Sequence, residues 1–137
     1  MTNNDCLFCK IASGEIPSYK VYEDEFALAF LDIHPCSKGH TVVIPKSHIE
    51  SLNDMSLDYW RQMLPGMQAS INRVQEVIKS DGMNIGINNG IAAGQAVRHA
   101  HWHIIPRWTG DGGGSMHSII RGGSEVDVKE ISKLFYE

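Results

Sequence analysis

The sequence has no basic excess: twelve Lys and Arg stand against sixteen Asp and Glu in 137 residues, a net charge of −4. Gripping polymeric nucleic acid through its phosphates takes the opposite balance over a broad surface, so that partner is excluded as a first reading. No apolar run approaches the roughly 20 residues that a membrane span needs. The opening Met1-Thr2-Asn3-Asn4-Asp5 has neither the basic nor the apolar region of a secretory signal. The expectation is a cytoplasmic protein with no membrane association. Cysteine is scarce and odd in number, at three, and a reducing cytoplasm leaves such thiols free for metals or chemistry. Disulfides are also unnecessary, because a chain of this length buries roughly two-thirds of its unfolded surface. Internal repeats and proline-rich or charge-run linkers are lacking, which argues for one domain. What stands out instead is histidine, of which there are seven.

Leu28-Ala29-Phe30-Leu31-Asp32 and Thr41-Val42-Val43-Ile44 read as strands, the second ended by Pro45. From Ser56, an N-cap, apolar side chains recur at Trp60, Leu64, Met67, Ile71, Val74 and Ile78, the spacing of one helical face, until Asp81-Gly82. Pro65-Gly66 is expected to kink or split that helix. Asn84 through Asn88 and His99 through Ile105 read as two further strands, the last ended by Pro106. The pattern implies an α+β architecture, an antiparallel sheet with one long helix on a face. Gly110, Gly112, Gly113 and Gly114 mark an irregular loop, and Val126, Val128, Ile131, Leu134 and Phe135 suggest a short terminal helix.

In His99-Ala100-His101-Trp102-His103-Ile104-Ile105, strand alternation places three imidazoles on one face, with Cα atoms roughly 6.5 Å apart. Packing alone accounts poorly for three such residues on an otherwise apolar strand. They could hold a metal as paired H-x-H ligands, or act directly on a phosphate. Cys6 and Cys9 form a C-x-x-C whose thiolates can grip one tetrahedral Zn²⁺, with two more ligands to come from histidine. A thioredoxin-like redox use would want a strand ahead of the motif, and only five residues precede Cys6.

His99 to Ile105 matches His-φ-His-φ-His-φ-φ, with φ apolar, and further motifs accompany it: Cys6-Leu7-Phe8-Cys9-Lys10-Ile11, Gly14-Glu15-Ile16-Pro17, Phe30-Leu31-Asp32-Ile33, Gly39 through Lys46, and Gly94-Gln95. On these residues the chain resembles the histidine triad (HIT) superfamily of nucleotide hydrolases and transferases. The resemblance covers roughly residues 5 to 108, taken as the HIT domain, with 109–137 as a glycine-rich loop and C-terminal tail. It implies a HIT-like fold, a homodimer and a purine nucleotide pocket beside the triad.

By that resemblance His101 is the nucleophile that attacks the α-phosphorus and becomes nucleotidylated, and His103 contacts a phosphate oxygen or the leaving group. Gln95 and the backbone N–H groups from Gly94 through Ala96 to Val97 would meet phosphate oxygens; Ala96 stands where the family commonly has Ser or Thr, so one side-chain contact is missing. Asp32 matches the carboxylate on the ribose hydroxyls, and Asn88 the amide on the phosphate side. Leu7, Phe8, Ile11, Phe30, Leu31 and Ile33 match the walls around the base. The chain is most similar to zinc-containing bacterial-type members, whose ligands correspond to Cys6, Cys9, His48 and His99, a closed set that implies structural Zn²⁺. His40 is expected to orient rather than ligate; His34, Cys36 and His117 carry no assignment.

The expected activity is hydrolysis of nucleoside phosphoramidates or nucleoside monophosphate esters through a nucleotidyl-His101 intermediate. The alternatives are diadenosine polyphosphate hydrolysis, with Arg107 on a distal phosphate, and a non-catalytic nucleotide-binding regulatory subunit.

Overall fold

A computed structural model describes residues 3–122 and 125–136. Five strands, β1 (Lys20–Glu23), β2 (Ala27–Leu31), β3 (Thr41–Pro45), β4 (Gly82–Ile87) and β5 (Trp102–Arg107), form one sheet in the order β1-β2-β3-β5-β4. Every neighbouring pair is antiparallel. The helices are α1 (Leu7–Ala12), α2 (Leu57–Ile78) and a short terminal α3 (Val128–Ser132). No helix among the described residues is long and apolar enough to cross a membrane.

The helix α2 starts where the Ser56 hydroxyl accepts the Tyr59 N–H at 3.1 Å and ends where Lys79 turns left-handed. The helix runs unbroken through Pro65, so the split, one of the two expected outcomes, does not occur. Arg61 and Pro65 both face solvent, so the carbonyl that loses its intrahelical donor stays accessible to water. Burial of Met63, Ser70 and Val74 against the sheet holds the segment together. Gly66 lets the helix approach closely: a Cβ there would lie 2.7 Å from the Ala27 Cβ on β2. Gly66→Val is therefore expected to cost about 2–3 kcal/mol by overpacking, read by urea denaturation.

Both faces of the sheet are covered, so β2 and β3 are buried almost throughout. Under α2 lie Ala27, Ala29, Val43, Trp102 and Ile104. On the other face Leu28, Phe30, Val42 and Ile44 pack with Cys6, Phe8, Cys9 and Ile11 of the α1 region. That second layer escapes a periodicity reading because α1 is only six residues long.

The strand β5 differs from expectation at both ends. The ladders to β3 and β4 stop at Trp102, so His99, Ala100 and His101 precede the strand, anchored by the Ala100 N–H on the Ile49 carbonyl at 2.6 Å. Pro106 sits inside the strand opposite Met83. Its missing donor costs nothing there, because pairing with β3 has already ended at Ile104 and its own carbonyl accepts Ser37 Oγ at 2.7 Å.

Candidate functional site

Cys6 caps α1, Cys9 lies one turn on, His48 follows β3 and His99 precedes β5, and their four ligand atoms all lie within 4.8 Å of one another. His99 Nδ1 is 3.4 Å from Cys6 Sγ and 3.6 Å from Cys9 Sγ, and His48 Nδ1 is 3.3 Å from Cys9 Sγ. The far nitrogen of His99 donates to the Pro45 carbonyl at 2.7 Å, which leaves the Nδ1 lone pair aimed at the sulfurs. A ring oriented by a backbone acceptor behind it is what a metal ligand requires. Two sulfurs and two imidazole nitrogens suit a closed tetrahedral site. Without a cation, burial raises the Cys9 thiol above its usual range.

Asp32, His40 and His103 also bring three ligand atoms within 4.8 Å, yet their protons argue against a metal. The Cys36 N–H donates to His40 Nδ1 at 3.0 Å, so neutral His40 carries its hydrogen on Nε2. That N–H donates to His103 Nδ1 at 2.9 Å, which puts the hydrogen of neutral His103 on its own Nε2. A cation on His40 Nε2 would displace this proton onto a nitrogen already facing a backbone donor. The cluster is a hydrogen-bonded pair of imidazoles, with the Asp32 carboxylate beside it at 3.6 Å from His40 Nε2, too far for a hydrogen bond.

His101 has the complementary tautomer. Its Nδ1–H donates to the His99 carbonyl at 2.7 Å, leaving Nε2 with a free lone pair. The Phe8 ring meets both His99 and His101 edge-on, with centroids 5.9 and 5.0 Å away, and the His101 and His103 rings are 5.1 Å apart. The three triad rings thus keep to one side even though two of them precede β5.

Burial lowers the affinity of His40, His99 and His103 for protons, holding His99 down to about 4. The unfolded chain takes up these protons near pH 6.5 while the folded protein refuses them. Stability is then complete above about 6.5 and is lost as pH falls toward about 4. Urea denaturation of chelator-treated protein across that interval is expected to show midpoints falling with pH; constant midpoints would contradict the burial of neutral rings.

Beside the triad opens a cavity of about 530 Å³, walled by Leu7, Phe8, Ile11, Phe30, Leu31 and Ile33 and reached by Asp32, Asn88, Gly94, Ala96, Val97, His101 and His103. His34 also lines it, a placement that its sequence neighbourhood did not signal. Gln95 does not line the cavity. Its side chain accepts the Gly90 N–H at 2.8 Å and donates to the carbonyls of Glu50 and Val97 at 2.8 and 3.0 Å, tying the turn together. Arg107 is likewise committed, to both Asp111 oxygens, to Asn84 Oδ1 and to the Gly114 carbonyl.

Comparison with known proteins agrees with this geometry. A family model described as the HIT domain matches residues 13–110. A HIT-like protein of Methanocaldococcus jannaschii is 47% identical over 133 residues, covering 93% of this chain and 96% of its own. The adenosine 5'-monophosphoramidase hnt1 of Schizosaccharomyces pombe is 43% identical over 102 residues, 74% of each chain. The crystal structure of a zinc-bound histidine triad family protein from Mycobacterium smegmatis superposes with a TM-score of 0.73 at 43% identity, covering 79% of this chain and 78% of that one. The five-stranded antiparallel sheet, the paired Cys and His clusters and these matches together make the chain a member of the HIT domain family.

Proposed function

We propose that the protein hydrolyses purine nucleoside phosphoramidates, or related nucleoside monophosphate esters, at the α-phosphorus through a covalent intermediate on His101. The observation that carries this reading is the bare Nε2 of His101, fixed by its 2.7 Å bond to the His99 carbonyl at the end of the nucleotide-sized cavity. In the first step the Nε2 lone pair forms a bond to phosphorus as the bond to the leaving nitrogen breaks. The departing nitrogen takes its proton from solvent, while the His103 Nε2–H donates a hydrogen bond to a phosphate oxygen or the leaving group and His40 steadies the ring by donating to Nδ1. Water then attacks phosphorus, the bond to His101 breaks, and one water proton is released to solvent, replacing the one taken up by the leaving amine. Phe8 and Ile33 enclose the base, Asp32 takes the ribose hydroxyls, and Asn88, Gly94, Ala96 and Val97 face the phosphate. Gln95 acts there through the turn it ties.

Cys6, Cys9, His48 and His99 would hold Zn²⁺, which supplies a structural crosslink between α1 and the segment entering β5. The relationship to a phosphoramidase and to a zinc-bound family member supports both assignments. Diadenosine polyphosphate hydrolysis loses the cation it needs, since Arg107 is spent on Asp111, Asn84 and Gly114. A merely regulatory subunit has no use for complementary tautomers on His101 and His103. Residues 5–108 carry the chemistry, with 109–137 as loop and tail. The outer edge of β4, unpaired among the described residues, and the exposed Ile119 and Phe135 favour a homodimer, for which sedimentation would give about twice the chain mass.

The activity is tested by following release of adenosine 5'-monophosphate from adenosine 5'-phosphoramidate. His40→Ala is expected to lower kcat about 100-fold with little change in KM, because it frees the His103 tautomer without touching the nucleotide cavity. An equal loss in KM would assign His40 to binding instead.

A further inference from the structure

Asn89-Gly90, just beyond β4, is the one Asn-Gly pair in the sequence. The backbone nitrogen that follows an asparagine can attack the side-chain carbonyl carbon, and glycine, lacking Cβ, leaves that approach unhindered. The fold calls for both residues. Gly90 has a φ of +98° with nothing within 4 Å of where its Cβ would lie, so backbone conformation rather than space demands glycine. Asn89 ties the segment to the short helical turn Leu52–Asp54: its Oδ1 accepts the Leu52 N–H at 2.8 Å, and its Nδ2 donates to Asn53 Oδ1 at 2.9 Å.

The attacking group is restrained as firmly as the group attacked. The Gly90 N–H, whose proton must leave before the nitrogen can attack, donates to Gln95 Oε1 at 2.8 Å. The Gly90 carbonyl accepts the N–H groups of Ala93 and Gln95 at 3.1 Å each. The Gln95 amide is itself held on the Glu50 and Val97 carbonyls. Attack therefore waits on a local opening in which Gly90 leaves Gln95 and Asn89 leaves Leu52 and Asn53. Asn88 on one side of the pair, and Gly94, Ala96 and Val97 on the other, line the nucleotide cavity.

We infer that Asn89-Gly90 is a self-modification site, a deamidation point latched by Gln95, and that its conversion disables the nucleotide-facing turn. Hydroxide takes the Gly90 N–H proton, the nitrogen forms a bond to Asn89 Cγ, and the bond from Cγ to Nδ2 breaks as ammonia leaves with a proton from water. Water then opens the resulting cyclic imide at either carbonyl, leaving aspartate or isoaspartate at position 89. Aspartate sets a carboxylate oxygen against Asn53 Oδ1, where an N–H had been donated. Isoaspartate lengthens the main chain by a methylene directly after Asn88, which moves that side chain relative to the cavity. The loss of activity, though not the modification itself, rests on the proposed hydrolase reading.

The test ages the full-length protein in mildly alkaline buffer and follows conversion at position 89 by peptide mass spectrometry. Native protein is expected to convert at least about tenfold more slowly than the same chain unfolded in urea, because attack needs the local opening. Gln95→Ala is expected to convert at least about threefold faster than the native wild type, the effect of removing one net hydrogen bond. Hydrogen exchange at the wild-type Gly90 N–H, which does not depend on a variant that folds, should be slowed at least about tenfold relative to the unfolded chain. Turnover of adenosine 5'-phosphoramidate should fall in proportion to the isoaspartate fraction. Equal conversion of native and unfolded chains, an unprotected Gly90 N–H, or a Gln95→Ala rate at or below the wild-type rate would overturn the latch. No conversion in any sample, the unfolded one included, would overturn the site, and full turnover by converted protein would overturn the disabling effect. Absence of turnover before ageing would defeat the hydrolase reading alone, since mass and exchange still report the modification.

Discussion

Replacing His101 by alanine is expected to reduce kcat on adenosine 5'-phosphoramidate by at least ~1,000-fold. Adenosine 5'-monophosphate should still bind within about tenfold of its normal affinity, because only the group that forms the covalent bond is removed. The asymmetry follows from the site. His101 is 6% exposed, wedged against Phe8, and directs one nitrogen to the His99 carbonyl and the other to the nucleotide cavity. The apolar walls of that cavity and Asp32 stand on other elements and do not depend on the ring. Steady-state kinetics paired with calorimetric titration reads both quantities. Turnover by the variant at a tenth of the normal rate or more would mean that some other group, or water directly, attacks phosphorus.

The second large effect concerns the Cys and His cluster. Protein purified without added metal is expected to carry about one zinc per chain, and Cys9→Ser to lose it and at least about 3 kcal/mol of folding stability. Cys9 is 2% exposed and contacts both His48 and His99. Its loss would cut the tie between α1 and the segment that orients His101 through the His99 carbonyl. Elemental analysis and thermal denaturation decide the matter: less than about half an equivalent of zinc, or an unchanged melting temperature on chelation, would contradict a structural site. Because the site is closed, added chelator should lower activity only as it lowers stability. Activity lost from fully folded protein would give the metal a direct chemical part.

Features legible in the sequence share a short range. The Ser56 cap and the apolar stripe of α2 are set by residues three and four apart, and the alternation of His101 and His103 by residues two apart. The C-x-x-C announces itself the same way, and its histidine partners, 39 and 90 residues beyond Cys9, came only with the family resemblance. Pairing at long separation is where the sequence falls silent. His40 and His103 stand 63 residues apart, and nothing near either shows that one sets the tautomer of the other. Arg107 reads as free for phosphate because Asn84, 23 residues away, meets it only across the sheet, and Asp111, though four residues on, meets it only because the chain turns there. Gln95 lay in the right loop, but its amide finds three backbone groups before it finds a ligand. The start of β5 was misplaced for a related reason: alternation reports side-chain direction, whereas a strand is defined by its ladder, and both ladders stop at Trp102.

The long-range contacts around His40, His99 and His103 bear on one event, the transfer of a nucleotidyl group to His101 and then to water. Two displacements at one phosphorus invert it twice, so a substrate made chiral at the α-phosphorus by isotopic oxygen records whether the histidine took part. Hydrolysis of such an adenosine 5'-phosphoramidate in labelled water, analysed by phosphorus NMR, is expected to proceed with net retention. Net inversion would show direct attack by water and contradict the covalent role of His101.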